Sequence, residues 1–306
     1  MSAAPRLQAR EALVGHTRRV SSVALTADGA QLLSGSIDRS LRVWDVGEGR
    51  CAKTLLGETS DVNAVASSPD GKLAVSGSGE MTLAAGIARV WDVSAGQPLR
   101  ELTGHEGEVS AVALDARRGR VATGGADGTV RVWELASGLC LQVLKGHEGW
   151  VRALAFTPDG ARILSGSMDG TVRVWDAVGG SLLRTLSGHA DKVYAVGVSP
   201  DGRHALSGAK SRDLRVWDLG TGECTRVLEG HEGVVRGAAF LPHGRWAISA
   251  SEDKTVRLWD VEAGRCAATE PTSGGAQCLA LSADGRRAAA GTYDRRIFVW
   301  DVSRPA

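Results

Sequence analysis

The chain has 306 residues, 43% of them hydrophobic and 23% charged, with 36 basic residues set against 35 acidic ones. This balance excludes a disordered polyelectrolyte and leaves no cation excess for a polyanion, so nucleic acid is not an expected partner. Forty glycines beside eight prolines, and nine tryptophans beside three phenylalanines and two tyrosines, point to many tight turns around a recurring tryptophan.

The opening segment, MSAAPRLQAREALVGH, holds no apolar run of secretory length, and no later run reaches the roughly 18 to 20 residues that span a bilayer. A cytoplasmic protein without a membrane partner is therefore expected. Tryptophans then recur as Trp44, Trp91, Trp133, Trp175, Trp217, Trp259 and Trp300, at intervals of 47, 42, 42, 42, 42 and 41 residues. Seven units follow from this spacing. In five of them a Gly-His pair puts His16, His105, His147, His189 and His231 each 28 residues before the tryptophan. Unit two has Glu58 at the equivalent place and carries a five-residue insertion within SGEMTLAAGI, Ser78 to Ile87; unit seven has Thr272.

Within a unit such as VRALAFTPDGARILSGSMDGTVRVWDAVGGSLLRTLSGH, four alternating apolar stretches are separated by PDG, MDG and GG turns, which predicts a four-stranded antiparallel meander. One such sheet cannot bury both faces, and its edges stay open, so the units must pack face to face and close radially. Unit seven stops at Trp300-Asp301-Val302 without the strand that elsewhere follows the tryptophan, while Arg6 to Val14 aligns with that strand. Residues 6–14 are expected to complete the last sheet, making residues 1–306 a single domain.

Gly-His, a Ser-Gly-Ser-x-Asp turn and TVRVWD at a period of about 40 to 45 residues resemble the WD-repeat β-propeller family, in its bacterial style of tandem repeats. The resemblance covers essentially the whole chain and implies an all-β, seven-bladed β-propeller with the last blade closed by the N-terminal strand.

Serine, histidine and aspartate recur beside tryptophan as His16, Ser34, Asp38 and Trp44; His105, Thr123, Asp127 and Trp133; His147, Ser165, Asp169 and Trp175; and His231, Ser249, Asp253 and Trp259. A catalytic triad is needed once, whereas a fourfold set fits internal hydrogen bonding, and it matches the family's structural tetrad. Units two, five and seven depart from it, through Glu58, Ser211 and the Thr272–Ala290 pair, and are expected to be softer. Arg42, Arg89, Arg131, Arg173, Arg215 and Arg257, one per blade, with an acid after each tryptophan, read as a structural charge pattern. Cys51, Cys140, Cys224 and Cys266 repeat one position and read as small buried side chains; neither a cysteine zinc site nor any other metal or cofactor is expected.

Scaffold residues recur, so binding residues are sought where the units differ. Five positions beyond the histidine stand Ser21, Asn63, Ser110, Arg152, Tyr194, Arg236 and Gln277, and three beyond it Arg19, Asp61, Glu108, Trp150, Lys192, Val234 and Gly275. With Met168 and Lys210 from the turns, Trp150, Arg152, Lys192, Tyr194 and Arg236 form the candidate contact patch, mixing aromatic anchors with cations. A non-enzymatic interaction scaffold is expected, a monomer that binds a protein or peptide, acidic or phosphorylated ones included. The insertion is either a docking loop or a flap on its own blade. The alternative is a hydrolase-like propeller enzyme using channel carboxylates such as Asp61 and Glu108. Trp246 and His204 receive no role.

Overall fold

Turn chemistry cuts the chain into strands of two to seven residues. The structure is a computed structural model that describes residues 4–80 and 85–303. In chain order, β1 (Leu7–Ala9) and β2 (Leu13–Val14) precede blade one, which holds β3 (Val20–Leu25), β4 (Gln31–Ser36), β5 (Leu41–Asp45) and β6 (Arg50–Leu55). Blade two holds β7 (Val62–Ser67), β8 (Leu73–Ser78), β9 (Ile87–Asp92) and β10 (Gln97–Thr103); blade three β11 (Val109–Asp115), β12 (Arg120–Gly125), β13 (Val130–Glu134) and β14 (Cys140–Leu144). Blade four holds β15 (Val151–Phe156), β16 (Arg162–Ser167), β17 (Val172–Asp176) and β18 (Leu182–Leu186); blade five β19 (Val193–Val198), β20 (His204–Ala209), β21 (Leu214–Asp218) and β22 (Cys224–Leu228). Blade six holds β23 (Val235–Phe240), β24 (Trp246–Ser251), β25 (Thr255–Asp260) and β26 (Arg265–Pro271); blade seven β27 (Ala276–Leu281), β28 (Arg287–Thr292) and β29 (Arg296–Val302). All pairing within blades is antiparallel, and the whole is a seven-bladed β-propeller.

Blade seven is completed from the other end of the chain, as its missing strand requires. Leu7, Gln8 and Ala9 pair with Val302, Asp301 and Trp300, and Leu13 and Val14 pair with Ile297 and Arg296. The latch is thus in two pieces. Between them Arg10 reaches Asp301 at 3.3 Å and the Val46 carbonyl at 3.0 Å. Trp246, buried on blade six, shares a core cluster with Leu7 and Val302, so this variable-position tryptophan holds the latch from the neighbouring blade.

Successive blades wedge together through one repeated fit. A Cβ added to Gly166 would come within 2.8 Å of Val193 at the start of the next inner strand, and at Gly208 the distance to Val235 would be 2.5 Å. Glycine is required there by close approach. Blade six carries Ala250 instead, and across from it blade seven has Ala276 where valine stands in its counterparts, both in one cluster. A methyl gained on one side is matched by methyls lost on the other.

The outer strands correct the cysteine expectation. Cys140 and Cys224 are exposed, Cys51 and Cys266 half-buried, and only Cys278 is buried. The outer strand has no further blade strand beyond it, so side chains there meet solvent. The acids after tryptophan do not pair with the preceding arginines: Asp45, Asp92, Asp176, Asp218 and Asp260 accept backbone N–H groups of the following turn, and Glu134 accepts the Ser137 hydroxyl.

Candidate functional site

In blades one, three, four and six a tryptophan, a hydroxyl, a histidine and an aspartate are joined by hydrogen bonds. In blade four Trp175 Nε1 donates to Ser165 Oγ at 2.8 Å, Ser165 lies 2.7 Å from His147 Nε2, and His147 Nδ1 lies 2.7 Å from Asp169. The corresponding histidine–aspartate contacts are 2.9 Å for His16–Asp38, 3.0 Å for His105–Asp127 and 2.7 Å for His231–Asp253. Ser165 is 0% exposed, as are Ser34, Thr123 and Ser249, so no substrate reaches these hydroxyls and the resemblance to a triad ends there. Burial by itself would raise the aspartate pKa values, but the histidine, hydroxyl and backbone N–H donors outweigh it and hold Asp38, Asp127, Asp169 and Asp253 well below the usual carboxylate range.

The three deviant blades differ from one another. In blade five the carboxylate is supplied two residues later: His189 Nδ1 lies 3.3 Å from Asp213, which also accepts from Ser211 and from Arg215 Nε at 2.8 Å. Ser211 therefore supports a relocated acid rather than replacing one, and blade five keeps a full network through Ser207 and Trp217. In blade two Ser76 donates to Glu58, whose buried charge is met by Arg89 at 2.6 Å; Arg89 also holds Glu101 at 2.8 Å. Blade seven has no substitute. Trp300 Nε1 is buried without a hydrogen-bond partner, because Ala290 stands where the other blades have a hydroxyl.

The variable side chains are aimed by a backbone feature. Every inner strand shifts register once, between Val20 and Ser22, Val62 and Ala64, Val109 and Ala111, Val151 and Ala153, Val193 and Ala195, Val235 and Gly237, and Ala276 and Cys278. The residue passed over is each time the one five beyond the histidine position. A bulge leaves its extra residue out of the ladder and re-aims its side chain, and here all seven, from Ser21 round to Gln277, line the central channel. Above them the channel opens into a mouth of about 560 Å³.

That mouth gathers Trp150, Arg152, Met168, Tyr194 and Arg236 from the expected patch, and joins them to Arg18, Arg19, Arg39, Asp61, Glu80 and Glu108. Lys192 and Lys210 do not line it; Lys210 is ion-paired to Asp191 at 3.5 Å. Tyr194 sits between two guanidinium groups, with Arg236 4.0 Å and Arg152 5.9 Å from its ring centre. Both arginines have counter-ions: Arg152 Nη1 donates to Glu108 at 3.0 Å, and Arg236 gives Nε and Nη2 to one oxygen of Glu252 at 2.9 and 2.7 Å. A second aromatic clamp is formed by Arg19 and Tyr293, 5.6 Å from guanidinium to ring centre.

The mouth is thus not a bare basic surface. Burial raises the pKa of Glu108, with Arg152 opposing it, and the same burial lowers that of Arg152. Asp61 is raised by burial and then by nearby Glu80. Arg18, Arg39 and Glu80 were not singled out by comparing units; the signal was the non-recurring pair Arg18-Arg19 and the acid within the insertion.

Met81 and Leu83 of that insertion lie outside the described residues. Its described ends do not fold back on blade two alone. Glu80 pairs with Arg39 of blade one at 2.9 Å, and Gly86 N donates to the Gly107 carbonyl in the Gly-His loop of blade three at 2.7 Å.

Comparison with known proteins shows the same periodicity. The family description "WD domain, G-beta repeat" matches residues 8–45, 49–92, 96–134, 138–176, 180–218, 222–260 and 264–301. Among curated proteins, WD repeat-containing protein 18 of Rattus norvegicus is 44% identical over 41 residues, 13% of this chain and 10% of that protein. The Homo sapiens protein of the same name is 37% identical over 51 residues, 17% of this chain and 12% of that one. Ribosome biogenesis protein BOP1 homolog of Drosophila melanogaster is 42% identical over 41 residues, 13% of this chain and 5% of that protein. The chain therefore aligns with only a small part of each of these relatives, about one repeat's length.

Proposed function

The chain belongs to the WD40-repeat family, whose propellers are typically protein-interaction scaffolds, and from that premise we propose that its partner lays a peptide segment across the channel mouth. An acidic or phosphorylated side chain of that segment enters between Arg152, Tyr194 and Arg236, with Trp150 and Met168 as the apolar wall. Lys192 and Lys210 flank the approach as rim charges.

The observation that carries this reading is the disposition of donors around Tyr194. Arg152 gives one N–H to Glu108, and Arg236 gives two to Glu252, so each five-donor guanidinium keeps N–H groups for a ligand. Stacking on Tyr194 and pairing with glutamates hold both side chains in place before binding, which lowers the ordering cost of association. Arginine and tyrosine so held are the residue types on which binding energy concentrates. The five arginines of the mouth stand against Asp61, Glu80, Glu108 and the Glu252 that pairs Arg236, an excess of one cation for an anion to meet.

The test is an array of peptides differing only in one central residue, as glutamate, phosphoserine, glutamine or lysine, read by fluorescence polarisation. Wild type should prefer the anionic members. Arg152→Ala, Tyr194→Ala and Arg236→Ala should each weaken that preference, at the centre of the patch by roughly thirtyfold, and Lys192→Ala by less. A preference for lysine, or the same peptides retained when Trp150, Arg152, Tyr194 and Arg236 are all alanine, rejects the assignment.

A further inference from the structure

The circumference of the disc is made by the outer strands, each with one row of backbone N–H and C=O groups turned away from its blade. Proteins protect such edges with charges. Five of the seven edges here carry charge within the strand, Lys53 in β6, Arg100 in β10, Arg184 in β18, Arg226 in β22 and Glu270 in β26, and the two-piece edge of blade seven has Arg10 and Glu11 between β1 and β2. The outer strand of blade three holds none between its ends, its nearest charge being Lys145 just beyond it. β14 reads Cys-Leu-Gln-Val-Leu, with Leu141 47% and Val143 40% exposed on it and Leu139 64% exposed just before it.

We propose that this edge pairs with a second copy of the chain, β14 against β14 in antiparallel register about a two-fold axis near Leu141 and Gln142. The occupant follows from charge and direction. An antiparallel copy places only neutral side chains opposite one another along the strand, whereas the same arrangement at β18 or β22 sets an arginine near its own copy. The ends are complementary as well. Exposed Lys145 follows the strand, and exposed Glu134 lies at the other end, where its N–H donates to the Leu139 carbonyl at 2.9 Å. Antiparallel pairing brings Lys145 of each copy beside Glu134 of the other, twice over. An isologous contact of this kind closes and does not propagate. Gln142 is fixed by a 3.1 Å hydrogen bond to the Val178 carbonyl, which ties the strand to blade four.

The test measures mass by light scattering over a dilution series, with amide exchange alongside. Wild type should move from twice 31.9 kDa toward 31.9 kDa on dilution, and the β14 amides should lose protection as it does. Leu141→Lys with Val143→Lys should raise the dimer dissociation constant at least about tenfold through facing lysines and lost apolar contact, while Leu183→Lys on the neighbouring edge leaves it unchanged. Monomer at every concentration, a dimer indifferent to the β14 lysines, or one abolished by Leu183→Lys would each overturn the proposal, and an unchanged melting temperature of the lysine variants shows that the fold has been kept.

Discussion

Replacing Ala290 by serine should stabilise the protein, because blade seven alone leaves the N–H of its repeat tryptophan, Trp300, buried with nothing to accept it; the other such indole, Trp246, lies outside the tetrad positions. In the other six blades a hydroxyl stands 2.7 to 2.8 Å from the indole nitrogen. Ala290 is itself 0% exposed and pairs with Phe298 as Ser249 pairs with Arg257, so the new oxygen falls where the others lie. An unmade buried donor costs about 1–3 kcal/mol. The serine proton finds Thr272 rather than a histidine, and the Thr272 hydroxyl already donates to the Gly274 carbonyl at 2.8 Å, so the gain should lie near the low end, about 1 kcal/mol. At roughly 2.1 cal/mol/K of unfolding entropy per residue this is about 1.5 °C in melting temperature for a chain of this length. Ser165→Ala is the mirror experiment. It leaves Trp175 Nε1 and His147 Nε2 without partners and should cost about 2–4 kcal/mol. Urea titrations followed by tryptophan fluorescence give both differences. Adding Thr272→His to Ala290→Ser, with Asp294 already at the tetrad aspartate position, should extend the gain. An Ala290→Ser protein no more stable than wild type, beside a Ser165→Ala protein that loses the expected amount, would falsify the view that an accepting hydroxyl is what blade seven lacks.

Asp169→Asn should cost about 2 kcal/mol at neutral pH, and the deficit should shrink on acidification. The folded pKa is held below its unfolded value near 3.9, so this stabilisation is complete above that value and is lost as pH falls through it toward the folded one; paired denaturation curves from pH 7 to pH 3 read the trend. Asp213→Asn should behave like Asp169→Asn, and a surface-like effect below about 0.5 kcal/mol would show that blade five has no working network. Ala276→Val should destabilise by about 1–3 kcal/mol through overpacking against Ala250, and Ala250→Gly should rescue part of it, giving a positive coupling in a double-mutant cycle measured by denaturation. Removing residues 1–14 should cost at least the burial of Leu7 and Leu13, about 3–5 kcal/mol together, and light scattering should show association through the bared edge of β29.

The seven units and the closing strand were legible because tryptophan spacing and turn glycines are local, repeated signals that survive substitution. Tetrads were legible for the same reason. What escaped was compensation. Asp213 restores a network that a fixed offset declares missing, Arg89 neutralises Glu58 from another strand, and Ala250 with Ala276 exchanges bulk across a blade boundary; each depends on a spatial neighbour that alignment of units does not reveal. For the candidate site, variability pointed to Arg152, Tyr194 and Arg236, but only the bulge explains why that position faces the channel. Lys192 and Lys210 are cations as well, but they stand away from the bulge position and do not line the mouth.

The latch joins positions at opposite ends of the described chain, with Arg6 N donating to Ser303 Oγ at 2.9 Å and Ser303 N to the Arg6 carbonyl at 3.0 Å. During synthesis at about 5–20 residues per second, β1 must wait roughly 15–60 s for β29 to emerge. Six sheets can form in that interval, each from its own neighbours in sequence, but the circle cannot. The final pairing is therefore the slow, high-contact-order step, and it falls to the blade with no tetrad to anchor its tryptophan.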